Sequence, residues 1–187
     1  FYAPKVTGEI KLVEIQPELA DMAARSIVMN GLEERVSVLK SDMKAIFDDI
    51  APGSAETVLS NPPYFPLNET TKTNKDEHYE LARHELTIDL PGLAQVANKL
   101  LKNNGKFYMV HRPERLSDIF AALSARKLMI KRIRFVYGKV DREANMVLVE
   151  AIKSGRPGGV RILPPIIAYT MANDYTAEVK EILYGAS

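Results

Sequence analysis

The spacing of apolar residues changes period along the chain, and each change marks an element. Glu9–Ile15 is a β-rich run and predicts a strand. Leu19, Met22, Ala23 and Ile27 then recur at helical spacing, which predicts a helix over Pro17–Asn30 with those residues inward. Pro17 suits its first turn and Gly31 the position just past its end. Val36–Leu39 predicts a short strand, and Met43–Ile50 a short helix with Asp42 as N-cap, broken by Ala51-Pro52-Gly53-Ser54. Glu56–Ser60 is the next strand and runs straight into Asn61-Pro62-Pro63-Tyr64, after which about twenty polar residues form a loop. Leu90, Leu93, Ala94, Ala97, Leu100 and Leu101 trace one face of a helix over Ile88–Lys102, ended by Asn103-Asn104-Gly105. Lys106–His111 follows as a strand, then a helix over Pro113–Lys127 with Leu116, Ile119, Phe120 and Leu123 inward. Ile130–Tyr137 and Asn145–Lys153 read as two longer strands. Beyond Ser154 the chain is rich in Pro and Gly, and Thr176–Tyr184 can close it as a helix.

Alternating strands and helices indicate an α/β fold with a mostly parallel sheet. The last two long strands have no helix between them and must pair antiparallel. A length of 187 residues suits one domain with its own core, with 46% hydrophobic and 26% charged residues. The expected organisation is one domain over residues 1–154, with 155–187 as a C-terminal extension packed on it. With 25 basic and 24 acidic residues, the chain lacks the strongly basic coat that binds any nucleic acid, though a local basic surface remains open. The absence of cysteine excludes a disulfide framework, a thiolate metal site and a cysteine nucleophile, and fits a cytoplasmic protein. No apolar run approaches the ~18–20 residues of a membrane span. No zinc-type spacing, carboxylate pair or Ser-His-Asp order stands out, so no metal is expected.

In open α/β sheets, ligands bind beyond the carboxyl ends of the strands. Those ends carry Glu14, then Ser41-Asp42-Met43, then Asn61-Pro62-Pro63-Tyr64-Phe65, then His111-Arg112. The third is the most specific. Two successive prolines donate no backbone hydrogen bond and hold the preceding carbonyls extended. The result is a stiff rim of acceptors, to which Asn61 adds a side-chain carbonyl and Tyr64 an aromatic face. A planar amine needs such acceptors, and an aromatic ring can stack on a base taken from its stack. A plain Pro-Pro turn is the alternative. Glu14 can equally be a solvated strand-end charge, and Asp42 a helix cap.

Asn61-Pro62-Pro63-Tyr64 after a strand resembles motif IV of the class I S-adenosylmethionine-dependent amino-methyltransferases. The resemblance implies a Rossmann-like, seven-stranded mixed sheet with an antiparallel last strand. It implies S-adenosylmethionine as cofactor, with Glu14, beside Ile15, on the ribose hydroxyls, Asp42 and Met43 against the adenine, and Asn61 at the edge of the same site. Ala82-Arg83-His84-Glu85, His111–Leu116 and Asp141–Asn145 narrow the resemblance to the bacterial tRNA (adenine-N6)-methyltransferase group. That group implies methylation of an adenosine beside the anticodon, with Asn61, Pro62, Pro63 and Tyr64 catalytic. Tyr64, Phe65, Arg83, His84 and Arg112 are then candidate substrate contacts. Arg83-His84-Glu85 can be a lid or a salt-bridged hinge. Arg112 can contact phosphate or simply enter the helix fixed by Pro113. Lys131, Arg132 and Arg134 can touch tRNA phosphates or be an ordinary charged strand face.

The family pattern also requires a first strand and a Gly-rich turn ahead of Glu14, where the backbone approaches the cofactor. Only thirteen residues precede Glu14. The expectation is therefore an N-terminally incomplete domain with a gap beside the strand carrying Asn61. Motif IV alone does not separate adenine methylation in tRNA from that in ribosomal RNA or DNA, or from methylation of a protein glutamine amide. The absent glycine turn keeps a non-catalytic RNA-binding module open.

Overall fold

In the computed structural model, which describes residues 6–62 and 89–185, the first apolar run forms β1 (Ile10–Glu14). It is followed by α1 (Pro17–Met29) and β2 (Val36–Lys40). β1 and β2 pair in parallel from Ile10–Val36 to Glu14–Lys40. Pro17 opens α1, and Gly31, at φ 62°, takes the left-handed conformation past its end. The buried side of α1 matches the expected one at Ile27 but not at Leu19 and Met22. Ala20 and Ile27 are buried, whereas Leu19 and Met22 are 42% and 57% exposed. A helix lying on two strands covers only a narrow strip, and the strip at Ala20, Ala23 and Ile27 is the one taken. The helix expected over Met43–Ile50 is only a 3-10 turn, Ile46–Asp48. So short a segment gains little from α-nucleation. Ile46, 2% exposed, anchors the turn instead.

The rest of the described chain forms a second compact unit, from Pro52 onward, distinct from the unit up to Ala51. Its elements are β3 (Ala55–Ser60), α2 (Leu90–Leu100), β4 (Leu101–His111), α3 (Leu116–Ala125), β5 (Leu128–Tyr137) and β6 (Ala144–Lys153). β7 (Arg161–Ile162), β8 (Ile166–Ile167) and α4 (Ala177–Tyr184) complete it. The strand order is β3-β4-β6-β5-β7, with β8 also on β5. β3 and β4 are parallel, and β6 runs antiparallel to both β4 and β5, as the missing helix between β5 and β6 requires. One sheet face carries the rows Phe107–Ala151–Ile130 and Met109–Val149–Ile133, all buried. Leu93, Ala94, Ala97 and Leu100 of α2 and Ile119 and Leu123 of α3 complete this core.

Two boundaries moved. α2 stops at Leu100, because Leu101 pairs with Ala55 and already belongs to β4. Between the pairs Ala55–Leu101 and Thr57–Lys106, β4 advances further than β3, so Asn103-Asn104-Gly105 forms a bulge rather than a helix terminator. The expected single sheet of seven strands is, among the described residues, a two-stranded and a six-stranded sheet. Among the described residues β3 pairs only with β4. β7 and β8 lay the C-terminal segment parallel along β5. Thr176 caps α4, its hydroxyl accepting from Val179 N and donating to Ile167 O. No helix among the described residues is long and apolar enough to cross a membrane.

Candidate active site

β3 ends where Pro62 removes the backbone donor that would continue the ladder. The last pair is Ser60–Met109, so Asn61 leaves the sheet beside the end of β4. Asn61 is exposed and Pro62 buried. Pro63, Tyr64, Phe65, Arg83 and His84 lie outside the described residues.

Next to this strand end is His111, the last residue of β4, only 2% exposed and paired with Val147 of β6. Its Nδ1 accepts the backbone N–H of Arg112 at 2.8 Å, which leaves the ring proton of the neutral form on Nε2. Burial, and then the Arg115 guanidinium, hold its pKa below the ordinary value of 6.5, while the carboxylates of Glu114 and Asp118 oppose them. His111 is thus a neutral donor at the carboxyl edge of the sheet. Its presence at the strand end was visible in the sequence, but its burial comes from β6 and was not. Arg112 Nη1 donates to the Asn145 carbonyl at 3.3 Å, tying the end of β4 to the start of β6. Arg112 also leads into the 3-10 turn Pro113–Arg115 that precedes α3. The His-Arg-Pro-Glu-Arg-Leu and Asp-Arg-Glu-Ala-Asn segments therefore meet at one edge, a junction their separate motifs did not disclose.

In the first unit, Glu14 and Asp42 also come together. Glu14 ends β1 opposite Lys40, and Ser41 N donates to the Glu14 carbonyl at 3.2 Å. Glu14 Oε1 accepts from Gln16 N at 2.8 Å, which holds the carboxylate at the strand end. Asp42 Oδ1 accepts from Lys44 N at 2.8 Å, so it does act as a cap, but of a turn and not of an α-helix. Ile15 and Met43 flank these carboxylates, each half-buried. Two acceptor groups with apolar neighbours at adjacent parallel strand ends fit a ligand that has both hydroxyls and a flat ring.

No family model matches the chain. It is 28% identical over 141 residues to a tRNA1(Val) (adenine(37)-N6)-methyltransferase of Tolumonas auensis, covering 75% of this chain and 56% of that protein. It is 23% identical over 181 residues to the enzyme of the same name from Parabacteroides distasonis, covering 96% of this chain and 75% of that one. Against the first relatives, then, the chain spans little more than half their length. Among solved structures, a predicted O-methyltransferase of Agrobacterium tumefaciens superposes with a TM-score of 0.70 at 22% identity, over 95% of this chain and 77% of that one. A cyclase superposes with a TM-score of 0.56 at 12% identity, over 83% of this chain and 69% of that one. The one fold thus hosts more than one kind of reaction. The chain has the Rossmann-like fold of the class I methyltransferases, and its sequence is similar to curated tRNA adenine-N6-methyltransferases.

Proposed function

We propose that this protein transfers the methyl group of S-adenosylmethionine to the N6 amino group of an adenine in RNA. The RNA of this reading is a tRNA, and the target adenosine lies beside the anticodon. The observation that carries the proposal is Asn61-Pro62 at the carboxyl end of a parallel strand, in a chain similar to enzymes named for that reaction. Bound S-adenosylmethionine supplies a methyl group already activated on a sulfonium, so no nucleophile of the protein is required.

The protein's part is to hold and orient. The Asn61 side-chain carbonyl and the Pro62 backbone carbonyl accept from the two amino hydrogens. Those bonds return electron density to the nitrogen and aim its lone pair. Pro63 stiffens the rim, and Tyr64 and Phe65 stack on the base. Glu14 accepts from vicinal hydroxyls, and Ile15, Asp42 and Met43 border the adenine of the cofactor. Arg83, His84 and Arg112 contact the substrate. Residues 155–187 act as an extension of the same domain, in keeping with the pairing of β7 and β8 to β5. A tRNA substrate makes the cytoplasm the place of work.

Methyl transfer from labelled cofactor to unmodified tRNA, ribosomal RNA, DNA and a glutamine-bearing protein tests the reading. Incorporation into tRNA adenine supports it, and incorporation only into protein refutes it. Asn61→Ala is expected to abolish turnover while leaving cofactor affinity within a few-fold; an active variant removes Asn61 from its role.

A further inference from the structure

The near-neutral charge of the chain conceals a local segregation. Residues 127–132 (Lys-Leu-Met-Ile-Lys-Arg) and 153–161 (Lys-Ser-Gly-Arg-Pro-Gly-Gly-Val-Arg) hold six cations and no acidic residue. The fold brings the two segments together. Leu128 pairs with Lys153, Ser154 N donates to the Lys127 carbonyl at 2.9 Å, and Arg132 of β5 lies directly across from Arg161 of β7.

Three of the six cations are structural. Lys131 Nζ donates to the carbonyls of Arg156 and Gly158 at 2.5 and 2.7 Å, which pins the 155–160 loop against β5. Lys153 Nζ donates to Leu101 O at 2.7 Å, and Arg132 pairs with the buried Glu150 at 3.5 Å. Lys127, Arg156 and Arg161 are exposed and form no ion pair among the described residues. Arg161 lies directly across from Arg132, whose charge Glu150 already meets, so the cation of this pair left for an external polyanion is Arg161. Arg134, by contrast, is engaged by Glu178 and the Pro164 carbonyl, which takes it out of this surface.

We propose that the β5–β7 edge, with Lys127, Arg156 and Arg161, is a docking surface for the phosphate backbone of RNA. It lies on the same sheet as β3, the strand that leads into Asn61, across β4, β6 and β5. At about 4.8 Å per strand the edge is roughly 15–20 Å from β3 across the sheet; Arg161 is nearly level with the end of β3, whereas Lys127, just before β5, is displaced by roughly 20 Å more along the strands toward their amino ends. An RNA whose target base sits at Asn61 would thus carry its flanking backbone along this edge. The contact is to phosphate and carries no base specificity. This inference rests on the RNA reading above.

The test is binding of unmodified tRNA to the protein and to Lys127→Gln/Arg156→Gln/Arg161→Gln as a function of salt. A Arg25→Gln/Lys180→Gln variant serves as charge control. At about 0.1 M salt the triple variant is expected to bind at least ten-fold more weakly, with a slope of log K against log salt shallower by about 2–3. The control should match the wild type. An unchanged slope in the triple variant overturns the proposal, as does an equal loss in the control. Wild-type binding to polyglutamate as tight as to tRNA also overturns it, since the partner would then be an acidic protein. Methyl transfer is followed in parallel. If tRNA binding depends on these cations but no methyl reaches RNA, the surface stands and the catalytic reading falls. If tRNA is methylated with an unchanged KM by the triple variant, the reverse holds.

Discussion

His111 shows how a single residue acquires properties its neighbours in sequence do not confer. A neutral imidazole buried at a strand end, with the Arg115 guanidinium nearby, resists protonation. The unfolded chain then binds a proton more readily than the folded one, so stability falls as pH falls. It is complete above about 6.5 and is lost progressively as pH drops through the lowered native value. Urea unfolding between pH 8 and 5 should show this decline, and His111→Gln, which keeps an acceptor for Arg112 N–H, should flatten it. An equal decline in the variant would assign the effect to other groups. Asn61 is the opposite case, because its place at the end of β3 follows from the proline after it and was legible in the sequence.

At the scale of elements, the ends of helices and strands are set by different forces, and this decides which were foreseeable. α2 begins where Asp89 Oδ1 accepts from Gly92 N at 2.8 Å, a purely local cap. Asp89→Ala should cost about 1 kcal/mol in chemical denaturation without altering the slope of the transition. The end of α2 was misplaced because Leu101 leaves the helix to pair with Ala55, a partner 46 residues away. The bulge after it depends on Gly105. A Cβ there would lie 2.9 Å from the Lys102 carbonyl and 3.2 Å from the Glu56 carbonyl, and backbone atoms cannot swing aside. Gly105→Ala should therefore destabilise by about 1–3 kcal/mol, whereas Asn104→Gly, at φ 63°, should be tolerated. The same reasoning covers α1, where period alone favoured Leu19, Met22, Ala23 and Ile27, and the narrow support beneath the helix kept Ile27, added Ala20 and left Leu19 and Met22 exposed.

Over the whole molecule, burial is unevenly shared. Among the described residues, the buried apolar side chains of the first unit are Ala20, Ile27, Val36 and Ile46, and those of the second lie in β4, β5 and β6, in α2 and α3, and at Ile166 of β8. Fewer buried apolar contacts lower the cost of local opening. Amide hydrogen exchange should show β1, α1 and β2 opening before β4, β5 and β6, with Phe107, Val149 and Ile133 among the slowest sites. Uniform protection across both units would contradict this.

The order of the long strands and helices, the strand end at Asn61-Pro62 and the turn past α1 at Gly31 were determined by the sequence itself. Each follows from a local preference: the side-chain period, a missing proline donor, a left-handed glycine. The neutral His111, the meeting of Arg112 with Asn145 and the basic edge of β5 and β7 were decided only by the tertiary structure. These depend on residues far apart in the chain, and burial and charge are properties of the neighbours that folding supplies.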